Sequence, residues 1–438
     1  MNTLIQPTTR KVAIPSVVQK IARISAIGLL RILAALVIVL LVLPVALLPV
    51  ATSVPAPIWV LLAVVDVALL AALFWFKWTM SAVAAVMAGL LIVALLAVAA
   101  SQAFASTPPI TGSDGKPLVN SIATLEKVNL NGSQQWISIR GKDANNPVLL
   151  FLAGGPGGSQ LATARHALGG LEEHFVVVNW EQPGAGKSFH SVDRSKLTPE
   201  RYLADAQELV LYLRQRFGQE KVYVLGESWG SALGIWMVQR QPELYHAFVG
   251  TGQMVAFLET DEICYEFALR LAEERGDSRK VEQLQRQGPP PYYGKGVARK
   301  QLAYLMDTYA YMNQNPAIIG GFNTIGDFAS PEYGLYDKVN WIRGPLDTLG
   351  IVFQQLWDVD LREQAAQLEV PIYFLIGRHD VNAPVDLAEE YFDLLSAPHK
   401  ELVWFERSGH TPWTSESGRF VDEMVNRVLA QTMAASAE

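Results

Sequence analysis

Ser228 stands in the pentapeptide Gly226-Glu227-Ser228-Trp229-Gly230, directly after an apolar run at 222–225 and ahead of helical spacing that begins near Ser231. A serine on a tight strand-to-helix turn, flanked by glycines that let strand and helix pass close together, presents its hydroxyl above a sheet. Serine alone is a poor nucleophile at neutral pH. An imidazole must take its proton, and an acid must orient that imidazole and stabilise its cation. Asp380 follows the run 371–376 in Gly377-Arg378-His379-Asp380, and His410 follows the run 401–405 in Ser408-Gly409-His410-Thr411-Pro412. Both fall where strand C-termini would deliver them, in the order Ser, Asp, His. His379 is the rival base, although it precedes the acid instead of following it.

Acyl transfer places negative charge on the former carbonyl oxygen, so preorganised N–H donors are needed beside Ser228. The loop Gly154-Gly155-Pro156-Gly157-Gly158 follows the run 148–153, and the backbone N–H groups of Gly155 and Trp229 are the expected oxyanion-hole donors. A second stretch, Gly184-Ala185-Gly186-Lys187-Ser188, ends like a phosphate-binding loop. Such a loop needs a further glycine at the position of Glu181, so no nucleotide is expected. The single cysteine, Cys264, excludes an intramolecular disulfide and a cysteine metal cluster and reads as a buried small hydrophobe.

A sheet has to hold these groups. The short apolar runs 148–153, 175–179, 222–225 and 247–250 are of the kind buried on both faces of a parallel sheet. Between them, Tyr202, Ala206, Leu209 and Leu213 share one helical stripe. At the start, 122–130 and 134–140 flank Asn131-Gly132, a pair suited to a type I′ hairpin turn. Sheet-like runs return at 371–376 and 401–405, before a last helix at about 416–433. The helical stretch between the two halves of the sheet, broken by Gly288-Pro289-Pro290-Pro291-Tyr292-Tyr293, is expected to be a cap. The domain reading is a membrane region at 1–105, a linker at 106–120, an α/β core at 121–253 and 366–438, and a helical cap at 254–365.

Half of the 438 residues are apolar and only 18% are charged, the apolar excess lying before residue 106. The runs 32–51, 57–76 and 78–100 are each about as long as the ~20 helical residues that cross a bilayer, the second broken only by Asp66. Arg10, Lys11, Lys20, Arg23 and Arg31 precede the first run, and Lys77 separates the second from the third. The positive-inside rule puts these cations in the cytoplasm, and three spans then carry the rest of the chain to the extracytoplasmic side. Two other readings compete: signal-peptidase cleavage after Ala103-Phe104-Ala105, and an ion path at Asp66. The net charge of −7 argues against nucleic-acid binding, which needs a basic face.

Taken together, Gly154-Gly155-Pro156-Gly157, the stretch 179–188 (Asn-Trp-Glu-Gln-Pro-Gly-Ala-Gly-Lys-Ser) and the Ser228 pentapeptide resemble the proline iminopeptidase branch of the α/β-hydrolases. The resemblance covers roughly residues 120–430 and is strongest in the sheet. It implies the α/β-hydrolase fold, a mostly parallel sheet with helices on both faces and a helical cap. It also implies a monomeric catalytic core, no cofactor, and release of a small N-terminal residue from peptides through an acyl-enzyme. This chain departs from the branch at Ala153, where the family usually has His, and at Glu181-Gln182-Pro183-Gly184, where it usually has Asp-Gln-Arg-Gly. The Trp-Glu-Gly setting of the amine-binding cap glutamates is also missing. Glu259, Asp261, Glu262 and Glu266 are the acidic candidates at the entry to the cap, and Glu259 and Glu262 are assigned to substrate binding.

The expected function is a membrane-anchored serine hydrolase acting on a small or short-peptide amide. An esterase or lipase acting on acyl esters is the alternative within the same chemistry. A non-catalytic membrane receptor or scaffold is the alternative from another class.

Overall fold

The computed structural model describes residues 16–320 and 323–437. The chain divides into two compact units, the break falling after Ala103 except that Ala51–Ser53 group with the second unit.

The first unit is three helices: α1 (Ser16–Ala51), α2 (Ala56–Trp75) and α3 (Met80–Ala103). Within them Gly28–Ala51, Ala56–Trp75 and Met80–Ala103 are long and apolar enough to cross a membrane. Pro44 and Pro49 sit inside α1, as membrane helices tolerate. Ile38, Leu73, Val83, Val86 and Leu90 pack together inside this unit, while Leu36, Val39, Val64 and Leu95 face outward. Apolar residues on every face are what lipid surroundings require. Asp66 is buried among the helices, and neither carboxylate oxygen has a hydrogen-bond partner among the described residues. Of the cations that set the expected orientation, Arg10 and Lys11 lie outside the described residues, as do the side chains of Lys20 and Arg23.

The second unit is built on an eight-stranded sheet in the order β1-β2-β4-β3-β5-β6-β7-β8. β1 (Ile122–Leu130) and β2 (Ser133–Gly141) form the opening hairpin, with Asn131 and Gly132 at φ 46° and 78° as a type I′ turn demands. β3 (Val148–Leu152), β4 (Val176–Glu181), β5 (Val222–Glu227), β6 (Tyr245–Thr251), β7 (Ile372–Gly377) and β8 (Lys400–Phe405) run parallel, with β2 antiparallel to β4.

Alternation along β3 sends Leu150 and Leu152 into one core and Leu149 and Phe151 into another, which explains why these strands read as unbroken apolar runs. The short α4 (Leu161–Ala167) and the C-terminal helical run from Ser417 to Ala437 cover the second face. The first face is covered by α5 (Pro199–Phe217) and α6 (Trp229–Arg240). Thr198 caps α5 by accepting from Arg201 N–H, Pro199 opens it, and Gly218 at φ 63° ends it.

Between β6 and β7 the chain makes α7 (Phe257–Glu274), α8 (Ser278–Gln287), α9 (Val297–Gln314), α10 (Thr324–Phe328) and α11 (Leu335–Val352). The stretch ahead of β1 is held against the second unit. Ser106 N–H donates to Pro331 O at 3.1 Å, Arg140 Nη1 donates to Thr107 Oγ1 at 2.7 Å, and Thr107 Oγ1 donates to Glu332 at 3.1 Å. Lys187, whose position in the sequence imitates a phosphate-loop lysine, is buried. It pairs with Asp337 at 2.7 Å and lies 4.4 Å above the Trp136 ring.

Candidate active site

Ser228 is the one residue between β5 and α6, at φ 53° and ψ −123°. Positive φ in a non-glycine residue is strained and is found where a side chain must be displayed. The flanking glycines make this turn sterically feasible. A Cβ on Gly226 would fall on the Gly230 carbonyl oxygen, and one on Gly230 would fall on the Leu152 carbonyl oxygen. Leu152 and Gly226 are register partners, so the loop after β3 emerges beside Ser228. The Gly154 and Gly155 backbone therefore lines the same cavity as Ser228, and Trp229 begins the helix that Ser228 precedes. Trp229 is fixed by its indole N–H donating to Gln182 Oε1 at 2.9 Å, while Gln182 Nε2 donates to Ala153 O at 3.1 Å.

His410 and Asp380 are both buried, and Asp380 Oδ2 is 2.8 Å from His410 Nδ1. The other oxygen, Oδ1, accepts from the backbone N–H groups of Asn382 and Ala383 at 2.8 and 2.9 Å. The acid thus has its own orientation locked before it orients the ring. His379, the rival base, is half-buried outside this cavity, and its Nε2 is 3.1 Å from the Glu406 carbonyl.

On the far side of the ring, His410 Nε2 is 3.3 Å from Asn382 Nδ2 and 3.7 Å from Glu227 Oε1. Among the described residues it is not hydrogen-bonded to Ser228. Such a bond is often long or absent without substrate. Burial pulls the His410 imidazole down, but Asp380 and Glu227 outweigh it and hold the ring above its ordinary value.

The cavity over Ser228 has a volume of about 220 Å³ and is lined by two carboxylates, Glu227 and Asp261, and by no Lys or Arg among the described residues. Glu227 Oε2 accepts from Gln160 Nε2 at 3.2 Å, and its carboxyl is pushed up by burial, against the influence of His410 and Gln160. Asp261 Oδ2 accepts from Gln301 Nε2 at 2.7 Å and from the Tyr304 hydroxyl at 2.5 Å, both donors lying on α9. Burial pushes the Asp261 carboxyl up to about 7. A larger cavity of about 640 Å³ lies on the His410 side, with Met306, Met312, Ile318, Ile319 and Trp341 in its walls.

The two carboxylates assigned to substrate from the sequence are elsewhere. Glu259 is 2.5 Å from Arg362 at the surface, and Glu262 is exposed. Asp261 takes the inward position because Phe257, Asp261, Cys264, Tyr265 and Ala268 form the buried stripe of α7. That stripe was readable once the helix start was placed at Phe257. Glu227 was passed over because it fills the variable position of the serine pentapeptide. Its signal was an acidic residue with nowhere to point but the site.

Residues 147–287 match a family model described as the alpha/beta hydrolase fold. The chain is 26% identical over 318 residues to the probable aminopeptidase YbaC of Bacillus subtilis, covering 70% of this chain and 97% of that protein. It is 23% identical over 329 residues to the proline iminopeptidase of Saccharolobus solfataricus, covering 67% and 89%. The crystal structure of a Mycobacterium smegmatis proline iminopeptidase superposes with a TM-score of 0.51 at 18% identity, covering 71% of this chain and 99% of that one. Sheet order, strand directions and these likenesses agree: the chain carries the α/β-hydrolase fold and, within it, resembles the proline iminopeptidase branch.

Proposed function

We propose that this chain is a membrane-anchored serine hydrolase that removes a small N-terminal residue from short peptides or amides. Ser228 Oγ attacks the carbonyl carbon while His410 takes its proton and Asp380 holds the ring. The N–H groups of Gly155 and Trp229 receive the oxyanion. His410 then gives its proton to the leaving amine, and water repeats the attack on the acyl-enzyme to free Ser228. Helices between β6 and β7 act as the cap (254–365) over the core (121–253 and 366–438). With α1–α3 crossing the bilayer and Arg31 and Lys77 on the cytoplasmic side, the hydrolase unit faces outward.

The observation that carries the amine preference is the pair of buried carboxylates, Glu227 and Asp261, in a cavity lined by no Lys or Arg among the described residues. A carboxylate beside a developing oxyanion opposes catalysis unless a cation stands between the two or the carboxylate is protonated. A substrate ammonium is that cation, and the small volume over Ser228 fits a small acyl portion. The test is turnover of alanine and proline arylamides against their N-acetylated forms and against simple acyl esters, in wild type and Ser228→Ala. Free-amine substrates should be preferred and lost with Ser228. Turnover of acyl esters alone would overturn the peptidase reading in favour of an esterase.

A further inference from the structure

The polarity of α11 is inverted. Its inward residues include Asp337, Lys338, Asn340 and Thr348, all buried. Asp337 pairs with Lys187 at 2.7 Å, Lys338 Nζ donates to the carbonyls of Phe328 and Ser330 at 2.6 and 2.9 Å, and Thr348 Oγ1 donates to Gly184 O at 2.8 Å. Its exposed residues are all hydrophobic: Tyr336 at 44%, Val339 at 50%, Ile342 at 51% and Leu346 at 50%. Spaced three or four apart, they share one face. A surface helix ordinarily does the reverse, apolar inward and polar outward, and a contiguous apolar patch rimmed by polar groups marks a contact surface.

The chain itself says which surface. Ser106 is three residues beyond Ala103, the end of the third apolar helix, and it donates to the carbonyl of Pro331. At a fully extended ~3.6 Å per residue, Ser106 and the bond it makes cannot be more than about 11 Å of chain from the end of that helix. Leu335, which opens α11, follows Pro331 by four residues. The inverted helix is therefore tethered close to where the chain leaves the bilayer. We propose that the outward face of α11 lies in the lipid–water interface of the bilayer that α1–α3 cross, with Tyr336, Val339, Ile342 and Leu346 among the lipid chains. This rests on the reading that those three helices span. Interfacial helices sit with the apolar face buried ~5–10 Å into the headgroup boundary. Arg343 is held by Asp347 at 3.5 Å and stacks 4.5 Å from the Phe189 ring, which leaves apolar burial, not headgroup charge, to carry the contact.

The experiment uses the full chain in phosphatidylcholine vesicles, with an environment-sensitive nitrobenzoxadiazole label on one introduced cysteine at a time; Cys264 is buried and does not compete. Val339→Cys and Ile342→Cys test the face. Val64→Cys, an outward position of α2, and Leu211→Cys, an exposed position of α5, are the references. Labels at 339 and 342 should be quenched by a nitroxide lipid as the label at 64 is, show blue-shifted emission, and resist iodide. The label at 211 should do none of these. Quenching at 64 without quenching at 339 and 342 overturns the proposal and leaves the spans standing. No lipid quenching at 64 overturns the membrane reading itself, and the proposal with it. Iodide protection at 339 and 342 without lipid quenching means that protein covers this face, which also overturns it.

Discussion

The Glu227 carboxylate lies 3.7 Å from His410 Nε2, while Asp380 holds Nδ1 of the same ring at 2.8 Å. The imidazole is thus flanked by two acids, and the one that is not its orienting partner sits immediately before Ser228 in the chain. That arrangement favours the imidazolium in the free enzyme, whereas catalysis needs the neutral ring.

Glu227→Gln removes the second charge and keeps the shape. The ring loses one of the two influences that hold it above its ordinary value, so its titration moves down. Activity that requires neutral His410 rises as pH climbs through that titration, so the acidic limb of kcat/KM moves to lower pH. An opposite charge this close favours the protonated ring, and its removal favours the neutral one. A pH–rate profile on an uncharged substrate checks it, and an unmoved limb means Glu227 carries no charge in the free enzyme.

On the proposed mechanism, loss of Ser228, Asp380 or His410 should abolish turnover without unfolding the chain. Ser228→Ala and His410→Ala are expected to lower kcat by roughly 10⁴-fold or more. Asp380→Asn should do nearly as much by releasing Nδ1. Circular dichroism unchanged beside this loss separates chemistry from folding.

Asp261 should set the preference for a free amine. Asp261→Asn is expected to lower kcat/KM for aminoacyl arylamides roughly 10- to 100-fold, the ~1–3 kcal/mol of a charge-assisted bond. N-blocked amides should change little. Equal losses on both substrate kinds would show that the residue only supports the cavity wall.

The same residue has a stability signature. Burial pushes its folded carboxyl up to about 7, above the ordinary 3.8 that an unfolded chain would show. Between those values the folded state binds more protons than the unfolded one, so stability falls as pH rises through the window. Asp261→Asn should therefore raise the melting temperature at pH 8 and leave it nearly unchanged below pH 4. A substitution that costs binding while it stabilises the fold is the mark of a strained functional group.

The Lys187–Asp337 pair offers a purely structural test. Both partners are buried, and Asp337 also accepts from the backbone N–H of Gly334 at 2.9 Å where α11 begins. Lys187→Met leaves a buried carboxylate without its cation and should cost about 3–5 kcal/mol, read by thermal melting of the full chain. The double variant with Asp337→Leu should recover much of that loss.

Much of this was legible before any coordinates. Asn131-Gly132 accepts no conformation more readily than a hairpin turn, and Gly226 and Gly230 admit no side chain, so local sterics gave these turns away. Runs such as 148–152 could be read as doubly covered strands because a parallel sheet leaves no polar alternation. Side-chain direction was harder. Glu259, Asp261 and Glu262 are near neighbours of one chemistry, and a helix turns by about 100° at every residue. Which one enters the cavity depends on where α7 starts and on Gln301 and Tyr304, some 40 residues away. Glu227 was obscured differently, because the environment of the position before the serine is set by His410 and Gln160, which arrive from other strands' loops.

Ser106 and Thr107 have a practical bearing on where the second unit can be cut from the three apolar helices. Composition marks 106–120 as a linker, which invites a cut at Ser121. Such a cut would strip Arg140 of its bonds to Thr107 and Pro108 and leave Glu332 with one partner fewer in a buried cluster. A second unit cut away from the three helices keeps these bonds only if the cut falls ahead of Ser106.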